Sequence, residues 1–169
     1  MTLAPTLLES LPISRAIVAP EWIDGNDHMN ACYYLAIIKE PAIEAHNAWD
    51  YGVDFRVRTG ESNFVLESHV RHFRELKLGD PLLVSTRIVD LDDKRLHLAF
   101  EIHNEREAYL AAVAEYVTIH VRMAPPAARP FPAELRDRLE RIKAAHERVP
   151  MASEARGRLR LSIHTRPGQ

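Results

Sequence analysis

Hydrophobic and polar positions along this chain follow two different periods. Residues 14–19 (Ser-Arg-Ala-Ile-Val-Ala) read as a short strand that Pro20 ends, after a loose lead-in. The passage from Trp22 to Asn30 is polar and rich in turn residues, with Asp24-Gly-Asn-Asp27 at its centre, and reads as loop. From Asn30 onward Tyr34, Leu35, Ile38, Ala42, Ala45 and Trp49 recur at helical spacing, which predicts a helix over residues 30–51. Asn30 is its candidate N-cap, because the side-chain oxygen can accept a free first-turn amide. Gly52 would end the helix. Pro41 lacks a backbone N–H and predicts a kink within it.

After Gly60 the period drops to two. Residues 62–75 read as a long half-polar strand, and Leu78-Gly-Asp-Pro81 turns into a second strand over 82–90. Turns at Asp92-Asp-Lys94 and Glu105-Arg-Glu107 separate two more, over 95–103 and 109–122. Such short connections imply an antiparallel meander. Pro125, Pro126, Pro130 and Pro132 then break the chain. Leu135, Leu139, Ile142 and Val149 share one face of a C-terminal helix over about 132–148. One long helix against an antiparallel sheet is an α+β layout. Residues 1–150 read as a single domain, and the basic tail over 151–169 as loose.

Composition narrows the classes of function. The 169 residues are 46% hydrophobic and 27% charged, with a formal net charge of -2, which does not fit a basic nucleic-acid surface. The single cysteine, Cys32, excludes an intrachain disulfide and a Cys-rich zinc site. The first ten residues lack the pattern of a secretory signal, and no apolar run is long enough to cross a bilayer. A cytoplasmic protein without a membrane partner is expected. No metal is expected either, since strand alternation sends His69 and His72 to opposite faces. A Gly-rich phosphate loop and a Gly-x-Ser-x-Gly elbow are both missing, the latter removing the α/β-hydrolase route.

The segment Trp22-Ile-Asp-Gly-Asn-Asp-His-Met-Asn-Ala-Cys-Tyr-Tyr-Leu35 resembles the opening signature of the 4-hydroxybenzoyl-CoA thioesterase branch of the hotdog superfamily. Asp24, His28, Met29, Asn30, Tyr34 and Leu35 carry the likeness. The stretches 60–69 and 77–80 resemble the second strand and following turn of that family. Residues 94–98 and the last strand, ending at His120, look most like modules that act on betainyl-CoA. The likeness covers about residues 14–148. It implies a hotdog fold, in which a long central helix is wrapped by a curved antiparallel sheet, here with an added C-terminal helix.

The resemblance also implies a chemistry. Thioester hydrolysis needs a nucleophile or base at the carbonyl and a donor for the oxyanion. In the family pattern a loop Asp supplies the first and a backbone amide at the helix start the second. Here these are Asp24 and the amide of about Ala31. A helix N-terminus offers unpaired amides and a partial positive charge, which suit both tasks. Asp24 would attack directly or deprotonate water. Taken alone, Asp24-Gly25 is a common turn pair, and Asp27 reads as a loop or capping residue. His28 would orient the loop or touch the acyl group, and Asn30 would support the site besides capping the helix.

Trp22, Tyr33 and Phe64 are candidate acyl contacts, able to cage a quaternary ammonium if they meet; otherwise they are core. Glu67 is a candidate contact from the second strand. Coenzyme A carries phosphates, for which Lys94, Arg95 and Arg122 are candidates. The expected substrate is thus a small acyl-CoA, coenzyme A being part of it and no separate cofactor being implied. A homodimer or dimer of dimers is expected, which would cover an exposed edge strand. The competing readings are a silent hotdog module that binds acyl-CoA without cleaving it and a hotdog dehydratase or hydratase, for which the usual Gly-His-Phe-Pro-like segment is missing.

Overall fold

The computed structural model describes residues 11–151 and 153–161; the lead-in over 1–10 and the end of the tail over 162–169 lie outside them. In chain order the elements are β1 (Ile13–Ile17), α1 (Ala31–Ile37), α2 (Lys39–Ala48), α3 (Val53–Thr59), β2 (Glu61–His72), β3 (Pro81–Leu91), β4 (Arg95–Asn104), β5 (Tyr109–Met123), β6 (Pro126–Ala128) and α4 (Ala133–His146). The sheet runs β1-β3-β4-β5-β2, every neighbouring pair antiparallel, with β6 beside the end of β5. This is the expected α+β layout.

One sheet face carries the core. Leu82, Val84, Ile88, Leu96, Leu98, Phe100 and Ile102 pack there against Tyr34, Ile38, Ala45 and Trp49 of the central helical segment. Leu135 and Leu139 of α4 close the same cluster. The apolar stripe is therefore where the helical period placed it.

The central helix is interrupted, and not where Pro41 suggested. The break falls at Ile38, which ends α1 and precedes α2. Pro41 becomes the third residue of α2, a first-turn position where a backbone N–H has no intrahelical acceptor to lose. Gly52 does not end this helix either. Trp49 does, and Gly52 instead precedes α3, an element that the hydrophobic pattern missed because only Phe55 of its seven residues is buried.

Strand β2 stops at His72, three residues short of the expected end, and the amides of Phe73 and Arg74 both converge on the Ala111 carbonyl. Leu66 is an extra residue in it, since pairing with β5 jumps from Val65–Thr118 to Glu67–Val117. The basic tail, read from composition as loose, lies in its described part along the other sheet face. Arg87 of β3 donates to the carbonyls of His146, Val149 and Pro150, Arg71 of β2 donates to that of Arg156, and Leu159 and Leu161 cover Val117. This C-terminal strap crosses the sheet from β3 toward β2.

Candidate active site

The loop from Trp22 to Asn30 closes on itself through an antiparallel bridge between Ile23 and Met29. Within it the Asp24 N–H donates to the His28 carbonyl at 3.0 Å, and the Asp27 N–H to the Asp24 carbonyl at 3.1 Å. Asp24 thereby opens a tight turn whose last corner is Asp27, at a φ of 60°, a left-handed conformation that Asp tolerates better than most residues. Asp27 is thus a turn residue, as its bland reading held. The Met29 N–H donates to the Leu76 carbonyl at 2.8 Å, which fastens the loop to the segment before β3.

Asn30 connects this loop to the helix. Its backbone N–H donates to the Trp22 carbonyl at 2.8 Å. Its side-chain oxygen accepts the Cys32 N–H at 3.0 Å, the N-cap interaction foreseen from the sequence. The same side chain turns its Nδ2 to Asp24 Oδ2 at 3.3 Å, while Asp24 Oδ1 accepts the Asn26 N–H at 2.8 Å. Both carboxylate oxygens are therefore held, and the half-buried carboxylate is tied to the residue that starts α1. The Ala31 amide, first in the helix and on its exposed rim, has no intrahelical acceptor.

A groove of about 340 Å³ opens at this helix end, lined by His28, Ala31 and Tyr34 on one side and His72, Arg74 and Glu75 on the other. Tyr34 meets the His72 ring edge-on at 4.5 Å. Burial pushes the Tyr34 phenol up to about 12, so it stays protonated at neutral pH. The groove thus brings the start of α1, with its partial positive charge, against the end of β2; Asp24 is not among its lining residues and is linked to it through Asn30.

Residues 18–139 match the family described as the Thioesterase-like superfamily. The chain belongs to that superfamily. It is 32% identical over 138 residues to the betainyl-CoA thioesterase of Pseudomonas aeruginosa, covering 79% of this chain and 84% of that one. It is also 32% identical over 129 residues to the L-carnitine dehydrogenase/betainyl-CoA thioesterase of Rhizobium meliloti, where the match covers 76% of this chain but 26% of the relative. Among solved structures, a hypothetical protein of Staphylococcus aureus in complex with CoA superposes with a TM-score of 0.78 at 22% identity, over 95% of this chain and 98% of that one. The fold is the hotdog fold.

Other candidate residues of this thioesterase-like chain do not gather around Asp24. Trp22 and Tyr33 stack at 6.0 Å, but Phe64 sits on β2 beside Ile119, on the sheet face turned away from the helices. A three-ring cage is therefore not assembled within one protomer. Glu67 shares that far face with His69 and Arg71. Lys94, Arg95 and Arg122 lie at the β3–β4 turn and the end of β5, whereas the Asp24 loop adjoins the start of β3. The ten residues of β4 between those ends span roughly 30 Å.

Arg95 is in addition committed elsewhere. Its Nε and a terminal nitrogen hold Asp92 Oδ2 at 2.7 and 2.6 Å, and only 9% of the residue is exposed, so it clamps its own turn. Arg122 donates to the Pro125 carbonyl at 3.2 Å. Sequence reasoning assigned no role to the set formed by the buried Tyr51 and His120 with the half-buried Glu61. The Tyr51 hydroxyl lies 2.9 Å from His120 Nδ1, and His120 Nε2 lies 3.3 Å from Glu61 Oε2. No local signal announces such a set, because its members are up to 69 positions apart. Among the described residues, no group of three or more His, Cys, Asp or Glu is arranged to hold a metal ion.

Proposed function

We propose that this single-domain chain hydrolyses an acyl-CoA thioester in the groove beside Ala31, using Asp24. One observation carries the reading: Asn30, the N-cap of α1, holds the Asp24 carboxylate beside the first turn of a helix whose Ala31 lines the groove. The thioester oxygen, as it becomes an oxyanion, would be received by the Ala31 amide. Asp24 attacks the carbonyl to give a mixed anhydride, or removes a proton from the attacking water; a single turnover in labelled water separates these routes. CoA leaves as thiol and the acyl group as free acid.

The working unit proposed is a homodimer, alone or as a dimer of dimers. Strand β2 is an edge strand of twelve residues with Phe64, Val65 and Leu66 exposed and Phe73 exposed just past its end, a surface suited to pairing with a second copy. Two-fold pairing of β2 with its counterpart is antiparallel and brings the start of one strand to the end of the other. The partner's Lys94 and the partner's Arg122 would then approach the Asp24 groove and offer charge to the CoA phosphates. The relatives named for betainyl-CoA point to a small acyl group: betainyl, another short chain, or an aryl group. A reducing cytoplasm is the proposed setting, in keeping with one exposed thiol at Cys32.

The test is thiol release from a panel of acyl-CoA thioesters by wild type and Asp24→Asn. Loss of at least about 100-fold in kcat/KM with unchanged folding supports the assignment. Equal rates remove Asp24 from the mechanism. CoA binding without turnover of any thioester leaves a silent acyl-CoA-binding module.

A further inference from the structure

Arg74 follows the end of β2 and lines the groove beside Ala31, where it is the one permanent cation among the described residues of the lining. Its own amide and that of Phe73 are both spent on the Ala111 carbonyl, which pins the chain where the side chain leaves it. The guanidinium carbon sits 3.7 Å from the centre of the Tyr109 ring, a cation–π stack. That ring is fastened at its tip. The Tyr109 hydroxyl donates to the Glu75 carbonyl at 2.7 Å and accepts the Asn104 side-chain N–H at 3.3 Å. Arg74 is therefore exposed and yet held in place.

Stacking occupies the flat face of a guanidinium and leaves its edge, where the N–H donors lie, free to bond. Among the described residues, no hydrogen bond or ion pair takes up the edge of Arg74. Other arginines at this end of the sheet are spent: Arg15 on Glu105 at 2.8 Å, Arg106 on the Gly79 carbonyl at 3.2 Å and Arg71 on the Arg156 carbonyl at 2.8 Å. Glu75 is the one carboxylate of the lining. Its own backbone N–H, and then the neighbouring His28, Lys77 and Arg74, hold that carboxyl below the usual range, so the field around it is positive on balance. A fixed edge of unspent donors beside a groove is a fork for a carboxylate or a phosphate.

We infer that Arg74 is a specificity-determining residue that receives an anionic oxygen group carried by the substrate away from the thioester, with Tyr109 holding the fork ready. The inference rests on the thioesterase reading. Two parts of an acyl-CoA can supply the group: a carboxylate at the far end of the acyl chain, or a phosphate of coenzyme A. The chemistry at the guanidinium is the same for both. Because the fork is set before the substrate arrives, little side-chain freedom is lost on binding, and more of the attraction appears as affinity.

The experiment compares kcat/KM for pentanoyl-CoA with that for two relatives of it. Glutaryl-CoA has a terminal carboxylate in place of the methyl group, and S-pentanoylpantetheine lacks the phosphates. Two ratios are read: glutaryl-CoA over pentanoyl-CoA, and pentanoyl-CoA over pentanoylpantetheine. In Arg74→Gln one of them should fall about ten-fold or more, the worth of a charge-assisted hydrogen bond. A fall in the first names the acyl carboxylate as the group, and a fall in the second names the phosphate. Tyr109→Leu keeps the charge but removes the ring beneath it, and should lower the same ratio about two- to five-fold. Arg74→Lys, a point charge without a fork, should keep only part of the ratio. Turnover with both ratios unchanged in Arg74→Gln, whether the rates fall together or not at all, overturns the inference and leaves the thioesterase reading standing. No turnover by wild type of these thioesters or of the panel above overturns that reading, and the inference with it.

Discussion

Glu115→Gln isolates the anchor of the C-terminal strap. Glu115 is fully buried on β5, where its carboxylate accepts the amides of Arg158 at 2.9 and 3.0 Å and of Leu159 at 3.2 Å. His97 Nε2 adds a fourth contact at 2.9 Å. Burial alone would push this carboxyl up; the His97 hydrogen bond and the two strap amides outweigh it and hold the group at about 2, against an ordinary 4.5. That gap corresponds to about 3 kcal/mol of stability from the ionised group. Gly157 reports the same closeness, since a Cβ there would come within 2.6 Å of Glu115 Oε1. Because the folded value is the depressed one, the contribution is complete above the unfolded value of 4.5 and disappears as pH falls through about 2. At pH 7 the variant should lose about 3 kcal/mol, or about 6–12 °C in Tm for a chain of this size. Thermal melts of both proteins from pH 7 to pH 3 check this. The gap between them should narrow steadily below about pH 5. A gap that stays constant down to pH 3 would show that packing, not charge, holds the strap; no gap at all would show that Glu115 does not anchor it.

Asn30→Asp keeps a good N-cap but replaces the donor to Asp24 with an acceptor, so stability should hold within about 0.5 kcal/mol while kcat/KM falls about ten-fold or more, measured by melts and thiol release. Arg95→Ala should lower stability by about 1–3 kcal/mol in denaturant titrations through loss of the Asp92 clamp, whereas Lys94→Ala should raise KM for CoA thioesters with little change in Tm. Leu66→Lys combined with Phe64→Lys places charge on the exposed β2 edge; light scattering should then report monomers, and hydrolysis should be lost with them.

The sheet was legible along the chain because its cues are local. Alternation of side chains and short Asp- and Gly-containing turns locate β3, β4 and β5 to within a few residues. The C-terminal helix was equally plain from Leu135 and Leu139. The Asp24 loop was legible through a motif: Asn30 reads as a cap without any knowledge of the fold. Where elements were short or weakly patterned, the reading failed. Val53–Thr59 buries only Phe55 and gives no period to detect, and Leu66 looks like one more strand residue although it is a bulge.

What the sequence by itself determined was the order of the long strands and of the C-terminal helix, the core stripe of the central helical segment and the candidate carboxylate beside a helix start. These depend on residues within a turn or two of one another. Tertiary structure decided the rest. Arg95 was a free cation on paper and became a clamp when Asp92 folded under it. Phe64 and Glu67 were moved from the candidate groove because strand pairing assigned them to the far face. Glu115 found its strap 43 positions away, and Tyr51 found His120 69 positions away. A side chain's partners follow from which strands become neighbours, and that outcome depends on burial summed over the whole chain, which no local pattern contains.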